Sequence, residues 1–186
     1  KKKYVRGYGC GVVACANVLL HTAERPDKNL SVEEYTNYAR KLRHRYLPVI
    51  PKFGMNGVFM AIGFDLCLRL RHTGMRAHWG CLKKNIFSHI ERMLSEDIPV
   101  VLSIGPNWPN LWGNHRLKMY FRTSDGYREA TTTRAHYVTV TAMDEVYMEV
   151  SSWGKKYYVN KNEYLEYIKK HSNALFSSIL VVRKKG

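Results

Sequence analysis

The sequence has few acidic residues, and it contains no glutamine. Its 186 residues include 15 Asp and Glu against 30 Lys and Arg, which gives a formal net charge of +15. The positive charge is spread along the chain and is densest over residues 40–46. Such a surface attracts nucleic acid, anionic lipid and acidic polymers without specificity. Polyanions are therefore candidate partners, although no zinc-finger spacing, helix-turn-helix signature or RNA-binding aromatic strand is visible.

The sequence also lacks long apolar runs and paired cysteine motifs. No run approaches the roughly 18–20 apolar residues of a membrane span, and no signal-peptide pattern is visible. Because the chain begins with lysine, we expect a processed or trimmed product, and its compartment stays open. The four cysteines form no Cys-x-x-Cys pair, which favours free thiols. His78 and Cys81 offer two zinc ligands without a second pair, so we expect no metal and no other cofactor.

Helical patterns fill the first half of the chain and strand patterns the second. Residues 10–22 are apolar nearly all round, as in a buried helix, and Ser31 with Glu34 forms a capping box for a second helix. We predict further helices over 56–72, with Met60, Phe64, Cys67, Leu68 and Leu70 toward the core, and over 84–97. Strands are predicted at 98–104, 116–123, 127–133, 134–144, 146–153, 155–160 and 175–182, with a short helix near 161–170. The pattern predicts one α+β domain over residues 1–186, helical to about residue 97 and mostly antiparallel sheet from about 98.

Cys10 is the candidate nucleophile. It lies between Gly9 and Gly11, at the predicted start of the first helix. Free N–H groups and the helix dipole stabilise a thiolate at such a position, and flanking glycines let a substrate carbonyl approach the backbone. Cys15 lies inside the apolar run, where packing is the simpler interpretation.

His136 is the candidate general base among eight histidines. It opens an alternating strand in which His136, Val138, Val140 and Ala142 share a face, so its ring would be held rigidly yet stay reachable. An ordinary strand histidine is the plainer alternative. If Asp144 and Glu145 form the tip of a hairpin, His136 lies opposite residues 152–154.

The sequence leaves open which of two serines orients the imidazole of His136. A register slip of one residue swaps the faces of a strand, so the sequence does not choose between Ser151 and Ser152. Either hydroxyl would bind the imidazole more weakly than a carboxylate. Glu149 is a substitute orienter, although a surface role is more common for such a residue.

The motifs "GCGVVACANVLL", "AHYVTV" and "SSWG", in this order, resemble the papain-like cysteine peptidase superfamily. The similarity is strongest to the compact bacterial branch that includes the bacteriocin-leader peptidases of ABC exporters. "SEDIPVVLSIG" and "YYVNKNEYLEYI" resemble the flanking segments of that family, so the resemblance extends from Cys10 to about Ile168. It implies a papain-like fold, with Cys10 as nucleophile, His136 as general base and Ser151 at the position of the third catalytic residue.

Two residues depart from the family pattern. Members usually have Asn or Asp where this chain has Ser151, and a glutamine before the cysteine supplies one oxyanion donor. Tyr4 or Tyr8 could donate instead, beside the N–H of Cys10. Loss of one such donor typically costs about 10²–10³ in turnover. The remaining candidates for the substrate cleft are Gly9, Gly11, Ser152, Trp153 and Trp108.

The resemblance implies a thiol protease, a hydrolase that cleaves a peptide or amide bond of a peptide or protein substrate. A catalytically impaired binding or regulatory module is the main alternative, because of the two departures. A cysteine acyltransferase or amidase on the same fold, or a polyanion-binding protein, remains a further alternative. The oligomeric state and cleavage specificity stay open.

Overall fold

The computed structural model describes residues 9–22, 30–49, 54–80 and 85–185. Within these ranges there are five helices: α1 (Cys10–Thr22), α2 (Val32–Arg45), α3 (Gly57–Leu70), α4 (Ile86–Ser95) and α5 (Lys161–His171). The eight strands are β1 (Met75–Trp79), β2 (Val100–Ile104), β3 (Leu117–Thr123), β4 (Gly126–Thr133), β5 (His136–Met143), β6 (Tyr147–Ser152), β7 (Lys155–Asn160) and β8 (Ile179–Lys184). The α+β class expected from the sequence is confirmed.

The strands form a single antiparallel sheet in the order β1–β8–β2–β5–β6–β7–β3–β4. Strand β2 is buried at all five positions, which requires cover on both faces of the sheet. Helix α1 packs against β5 and β2, α3 against β1, and α5 against β3 and β7. No helix in the described ranges is long and apolar enough to cross a membrane.

Helix α1 is the buried helix that its composition predicts. Its buried side chains include Val12, Ala14, Cys15, Ala16, Val18 and Leu19. Asn17 donates a hydrogen bond to the hydroxyl of Thr139 on β5 at 3.3 Å. The buried residues of the helix are themselves apolar, so apolar packing fixes most of its position.

Local signals predicted the beginning of α2 and the hairpin between β5 and β6. The Ser31 hydroxyl accepts from the Glu34 N–H, and the Glu34 carboxylate accepts from the Ser31 N–H, which confirms the capping box. At the hairpin tip, the Asp144 carboxylate accepts from the N–H groups of Val146 and Tyr147. The side chain therefore closes the turn in the place of a backbone carbonyl.

Three expectations about the fold are corrected. The strand β1 was not predicted, although it pairs with β8 from inside the helical half of the chain. Leu70 is 58% exposed and not in the core, unlike Met60, Phe64, Cys67 and Leu68, which are buried. A β-bulge between Val140 and Ala142 leaves Ala142 exposed, so it does not continue the buried file of β5.

The Gly63 position tests the packing between α3 and the end of α2. A Cβ at Gly63 would lie 1.8 Å from the main-chain oxygen of Tyr46, which cannot rotate away as a side chain could. We expect Gly63→Ala to lower the free energy of unfolding by about 1–3 kcal/mol, the usual cost of overpacking. Chemical denaturation measures the change.

The matched control is Ile62→Ala in the same helix, because Ile62 is 62% exposed. We expect its change to stay within about 0.5 kcal/mol, as for most surface substitutions. Equal stability of Gly63→Ala and the natural protein would contradict the close approach of Tyr46 to α3.

Candidate active site

Cys10 is the first residue of α1, as the sequence predicts. The carbonyl of Gly9 accepts the first helical hydrogen bond, from the Val13 N–H at 2.9 Å. The N–H groups of the first turn have no carbonyl partner within a helix. A thiol at this position is therefore surrounded by main-chain donors.

The thiol of Cys10 lies where α1 meets β5. Hydrogen bonding to the main chain of Tyr137, Gly11 and Cys10 itself lowers the pKa of the thiol, although burial raises it more. Tyr137 directly follows His136 along β5. The packing of α1 on the sheet thus brings Cys10 to β5, the strand that begins with His136. The helix contacts the face of β5 that carries Tyr137 and Thr139.

Gly11 has a packing role, and its expected role in substrate access stays a prediction. A Cβ there would lie 2.9 Å from Met55 Cε, 3.2 Å from Tyr137 Cδ2 and 3.3 Å from Met60 Sδ. The glycine therefore makes room for neighbouring side chains of the protein. It allows α1 to lie close to β5.

His136 is held by Ser152 on the neighbouring strand. Its Nε2 atom lies 2.7 Å from the Ser152 Oγ, and the two side chains are 8% and 7% exposed. His136 is the first residue of β5, as expected, and its partner Ser152 is the last residue of β6. One ring nitrogen is thereby occupied, which leaves Nδ1 for another partner.

The hydroxyl that contacts the imidazole belongs to Ser152, so the choice of Ser151 as orienter is corrected. Val140 pairs with Val150, and Thr139 pairs with Ser151. Because side chains alternate along a strand, this register puts Ser152 on the face of His136 and Ser151 on the other face. A register of one residue more or less would have reversed this result.

Glu149 has partners away from His136. Its carboxylate accepts from the hydroxyls of Thr141 and Tyr158 and pairs with Lys156 at 3.0 Å. These contacts hold the pKa of Glu149 below its usual value, although burial raises it. The substitute orienter considered from the sequence is therefore not used.

Trp153 covers the imidazole. The two rings stack with centroids 4.5 Å apart and planes 15° apart, and Trp153 stays 55% exposed. Tyr157 contacts the indole edge-on at 6.0 Å. The stack places Trp153 beside His136, and its role in a substrate cleft stays a prediction.

The backbone on both sides of His136 adopts conformations that favour glycine. Ala135 has φ of 48° and Trp153 has φ of 48°, in the left-handed region. Trp153 and Gly154, with φ of 71°, form the two-residue turn between β6 and β7. A left-handed residue other than glycine costs about 1–2 kcal/mol, and such strain often marks functional sites.

Burial makes both candidate catalytic groups neutral. Desolvation raises the pKa of the Cys10 thiol above its usual value, and hydrogen bonding to the main chain only partly offsets it. Desolvation also lowers the pKa of His136 from 6.5 to about 4. The expected stabilisation of a thiolate by the helix start is therefore outweighed, and near pH 7 the structure holds a thiol and a neutral imidazole.

The remaining predicted site residues divide into those near the sheet end and those outside the described ranges. Trp108 belongs to the loop after β2, and Ile104 of β2 pairs with His136. However, the Trp108 ring packs edge-on against Phe176 at 5.7 Å, and the main-chain N–H of Trp108 donates to the His171 carbonyl. Tyr4, Tyr8 and Cys81 lie outside the described residues. Within those residues, no three metal-ligating side chains are placed to hold an ion.

Two supporting residues carried no sequence signal. The hydroxyl of Tyr137 donates to the Met55 carbonyl at 2.8 Å, which anchors the strand beside Cys10. Asn107 is 2% exposed, and its amide donates to the carbonyl of His115 and contacts the Tyr167 hydroxyl. It thereby closes the loop that leaves β2 next to His136. A lone asparagine in a loop gives no indication of such a role.

Comparison with known protein families, curated proteins and solved structures found no significant match. The chemistry of the site therefore has to be argued from its own residues.

The depressed pKa of His136 predicts a pH dependence of stability. Between pH 6.5 and about 4, His136 is protonated in the unfolded chain but stays neutral in the folded protein, where it is buried. The free energy of unfolding is therefore highest above pH 6.5 with respect to this group, and it decreases as the pH falls toward 4. A shift of this size corresponds to on the order of 3 kcal/mol.

As the pH falls from 6.5 to 4, the free energy of unfolding should decrease by about 3 kcal/mol less in His136→Gln than in the natural protein, because glutamine does not titrate. Urea denaturation at a series of pH values measures the difference. The control is His44→Gln, because His44 is exposed on α2. Parallel stability curves for the natural protein and His136→Gln would refute a neutral, buried imidazole.

Proposed function

We propose that this protein is a papain-like cysteine peptidase, in which Cys10 is the nucleophile and His136 the general base. The observation that carries the proposal is the meeting of α1 and β5. Helix α1 begins at Cys10 and packs against β5, which begins at His136, while Ser152 and Trp153 hold the imidazole. A thiol, an adjacent base and a group that orients the base are the parts of an activated nucleophile.

The protonation states define how the reaction would begin. A neutral imidazole can accept a proton, and a neutral thiol can supply it, so proton transfer accompanies attack on the substrate. The sulfur forms a bond with the amide carbonyl carbon, and Nδ1 of His136 takes the thiol proton. The imidazolium then protonates the amine as the C–N bond breaks, which leaves a thioester on Cys10.

Water completes the cycle. His136 removes a proton from a water molecule, which attacks the thioester carbonyl, and the proton returns to the departing sulfur. The Ser152 hydroxyl accepts from Nε2–H in the tautomer that this cycle requires. The free N–H groups at the start of α1 are the donors available to the oxyanion that forms during each attack.

A catalytically impaired binding module is the second candidate, and the neutral pair is the observation that favours it. The thiol is not activated in advance, and a serine hydroxyl orients an imidazole more weakly than a charged group. The same fold would then bind a peptide without cleaving it. Activity measurements separate the two candidates.

Cleavage of a quenched-fluorescent peptide library tests the proposal. We expect cleavage by the natural protein, none by Cys10→Ser, and a rate about 10²–10⁴ lower for His136→Ala, the usual contribution of a general base. Mass spectrometry of the products would define the bond that is cut. Cleavage that survives Cys10→Ser, or binding of peptides without cleavage, would overturn the peptidase assignment.

The pH dependence of alkylation tests the state of the thiol separately. Because burial raises the pKa of Cys10, its reaction with iodoacetamide should accelerate throughout the rise from pH 7 to 9. Cys15 is fully buried and should stay unlabelled in the folded protein. A rate that is already maximal at neutral pH would indicate a preformed thiolate and contradict the neutral pair.

The substitutions Ser152→Ala and Ser151→Ala form a matched pair that tests which serine orients His136. We expect Ser152→Ala to lower kcat about 3–10-fold, equivalent to one ordinary hydrogen bond, with little change in KM. Ser151→Ala should retain the natural rate, because its hydroxyl faces away from His136. Ser152→Thr keeps the hydroxyl and should recover most of the loss. The reverse order of the two alanine variants would restore Ser151 as the orienting residue.

A further inference from the structure

Helix α3 has an exposed apolar stripe that the proposed peptidase site does not explain. Phe59, Ile62, Leu66 and Leu70 are 59%, 62%, 45% and 58% exposed, and they follow one another at spacings of three and four residues. Val58 lies beside them and is 37% exposed. Residues with this spacing share one face of a helix, so the five side chains form a single stripe.

The stripe is unusual for this protein. Five of the thirteen exposed large apolar side chains in the described ranges belong to this one helix of 14 residues. The opposite face of α3 packs in the core, through residues that include Met60, Phe64 and Leu68. A helix that is apolar on both faces has an apolar environment on both sides.

Arginines flank the stripe. Arg69 lies on the same exposed side of the helix, near Leu66 and Leu70. On one flank, exposed Arg45 precedes Tyr46, whose carbonyl lies against Gly63. On the other flank, Asp65 is the only acidic residue of α3, and Arg76 binds its carboxylate with two nitrogens, at 2.8 and 3.1 Å.

We propose that the α3 stripe is a docking surface for an anionic phospholipid membrane, on which the helix lies parallel to the surface. An apolar face flanked by arginines is the arrangement of an interfacial helix. The apolar side chains enter the boundary of the acyl chains, and the arginines bind lipid phosphates.

A second copy of the chain fits the stripe less well. Two molecules of formal charge +15 repel each other. A stable protein interface uses about 20–30 residues on each side, whereas the stripe supplies five. The same charge attracts an anionic membrane, with each arginine near the surface increasing binding about fivefold to tenfold.

Co-sedimentation with lipid vesicles tests the proposal. We expect the protein to bind vesicles of phosphatidylcholine and phosphatidylglycerol at least tenfold more strongly than vesicles of phosphatidylcholine alone. Leu66→Ser should weaken binding to the anionic vesicles about tenfold, because a buried leucine side chain is lost. Arg69→Gln should weaken it about fivefold to tenfold and reduce its sensitivity to salt.

The matched control is Leu165→Ser on α5. Leu165 is 46% exposed and Leu66 is 45% exposed, so the two substitutions remove similar side chains from helix surfaces. We expect Leu165→Ser to bind vesicles as the natural protein does. Thermal melting of both variants checks that the fold is retained.

Three results would overturn the proposal. Equal losses in Leu66→Ser and Leu165→Ser would show that the stripe is not the contact. Binding that depends on salt but not on Leu66 would show non-specific attraction by the overall charge. A lipid-free dimer that Leu66→Ser dissociates, detected by sedimentation velocity, would assign the stripe to a second copy.

Discussion

The packing of α1 against β5 and β2 is the constraint on which the candidate site depends. The helix is apolar nearly all round, so it is stable only inside the protein, and the sheet supplies the surface that buries it. Gly11 allows the close approach, because any larger residue would meet Met55, Met60 and Tyr137. Burying the helix at this distance places its first residue, Cys10, beside the start of β5.

The same burial determines the electrostatics of the site. A helix start attracts negative charge, but removal of the Cys10 thiol from water has the larger effect and raises its pKa. The low pKa of His136 has the same cause. Both groups are therefore neutral at rest, and the charge separation that peptide cleavage requires would arise only when a substrate has replaced the surrounding water.

Much of the fold follows from short-range patterns in the sequence. The capping residues Ser31 and Glu34, the turn at Asp144 and the alternation of the β5 strand each act within a few residues, so they predict elements reliably. Strand β1 was missed because its pairing with β8 joins positions more than 100 residues apart. The exposed side of α3 was also not foreseen, since Leu70 has the same apolar character as the residues in the core.

In the candidate site too, local patterns predicted some residues, whereas contacts between distant segments decided others. Cys10 and His136 could be selected from their local context, whereas the orienting serine could not. The choice between Ser151 and Ser152 depends on a register that the pairing of two strands fixes, and a bulge at residue 141 changes that register along the hairpin. The pKa values depend on burial by distant segments, so the helix start alone does not determine the pKa of Cys10.

Turnover of p-nitrophenyl acetate is the most direct test that Cys10 and His136 act together. Acetyl transfer to Cys10 releases one equivalent of p-nitrophenol, and continued release requires hydrolysis of the thioester with His136 as base. We expect release to continue well beyond one equivalent in the natural protein. In His136→Ala both acylation and thioester hydrolysis should be slow, because His136 accepts the thiol proton and then a proton of water, and in Cys10→Ser the Cys10-dependent phase should be lost. Release at the same steady rate in all three proteins would contradict the account.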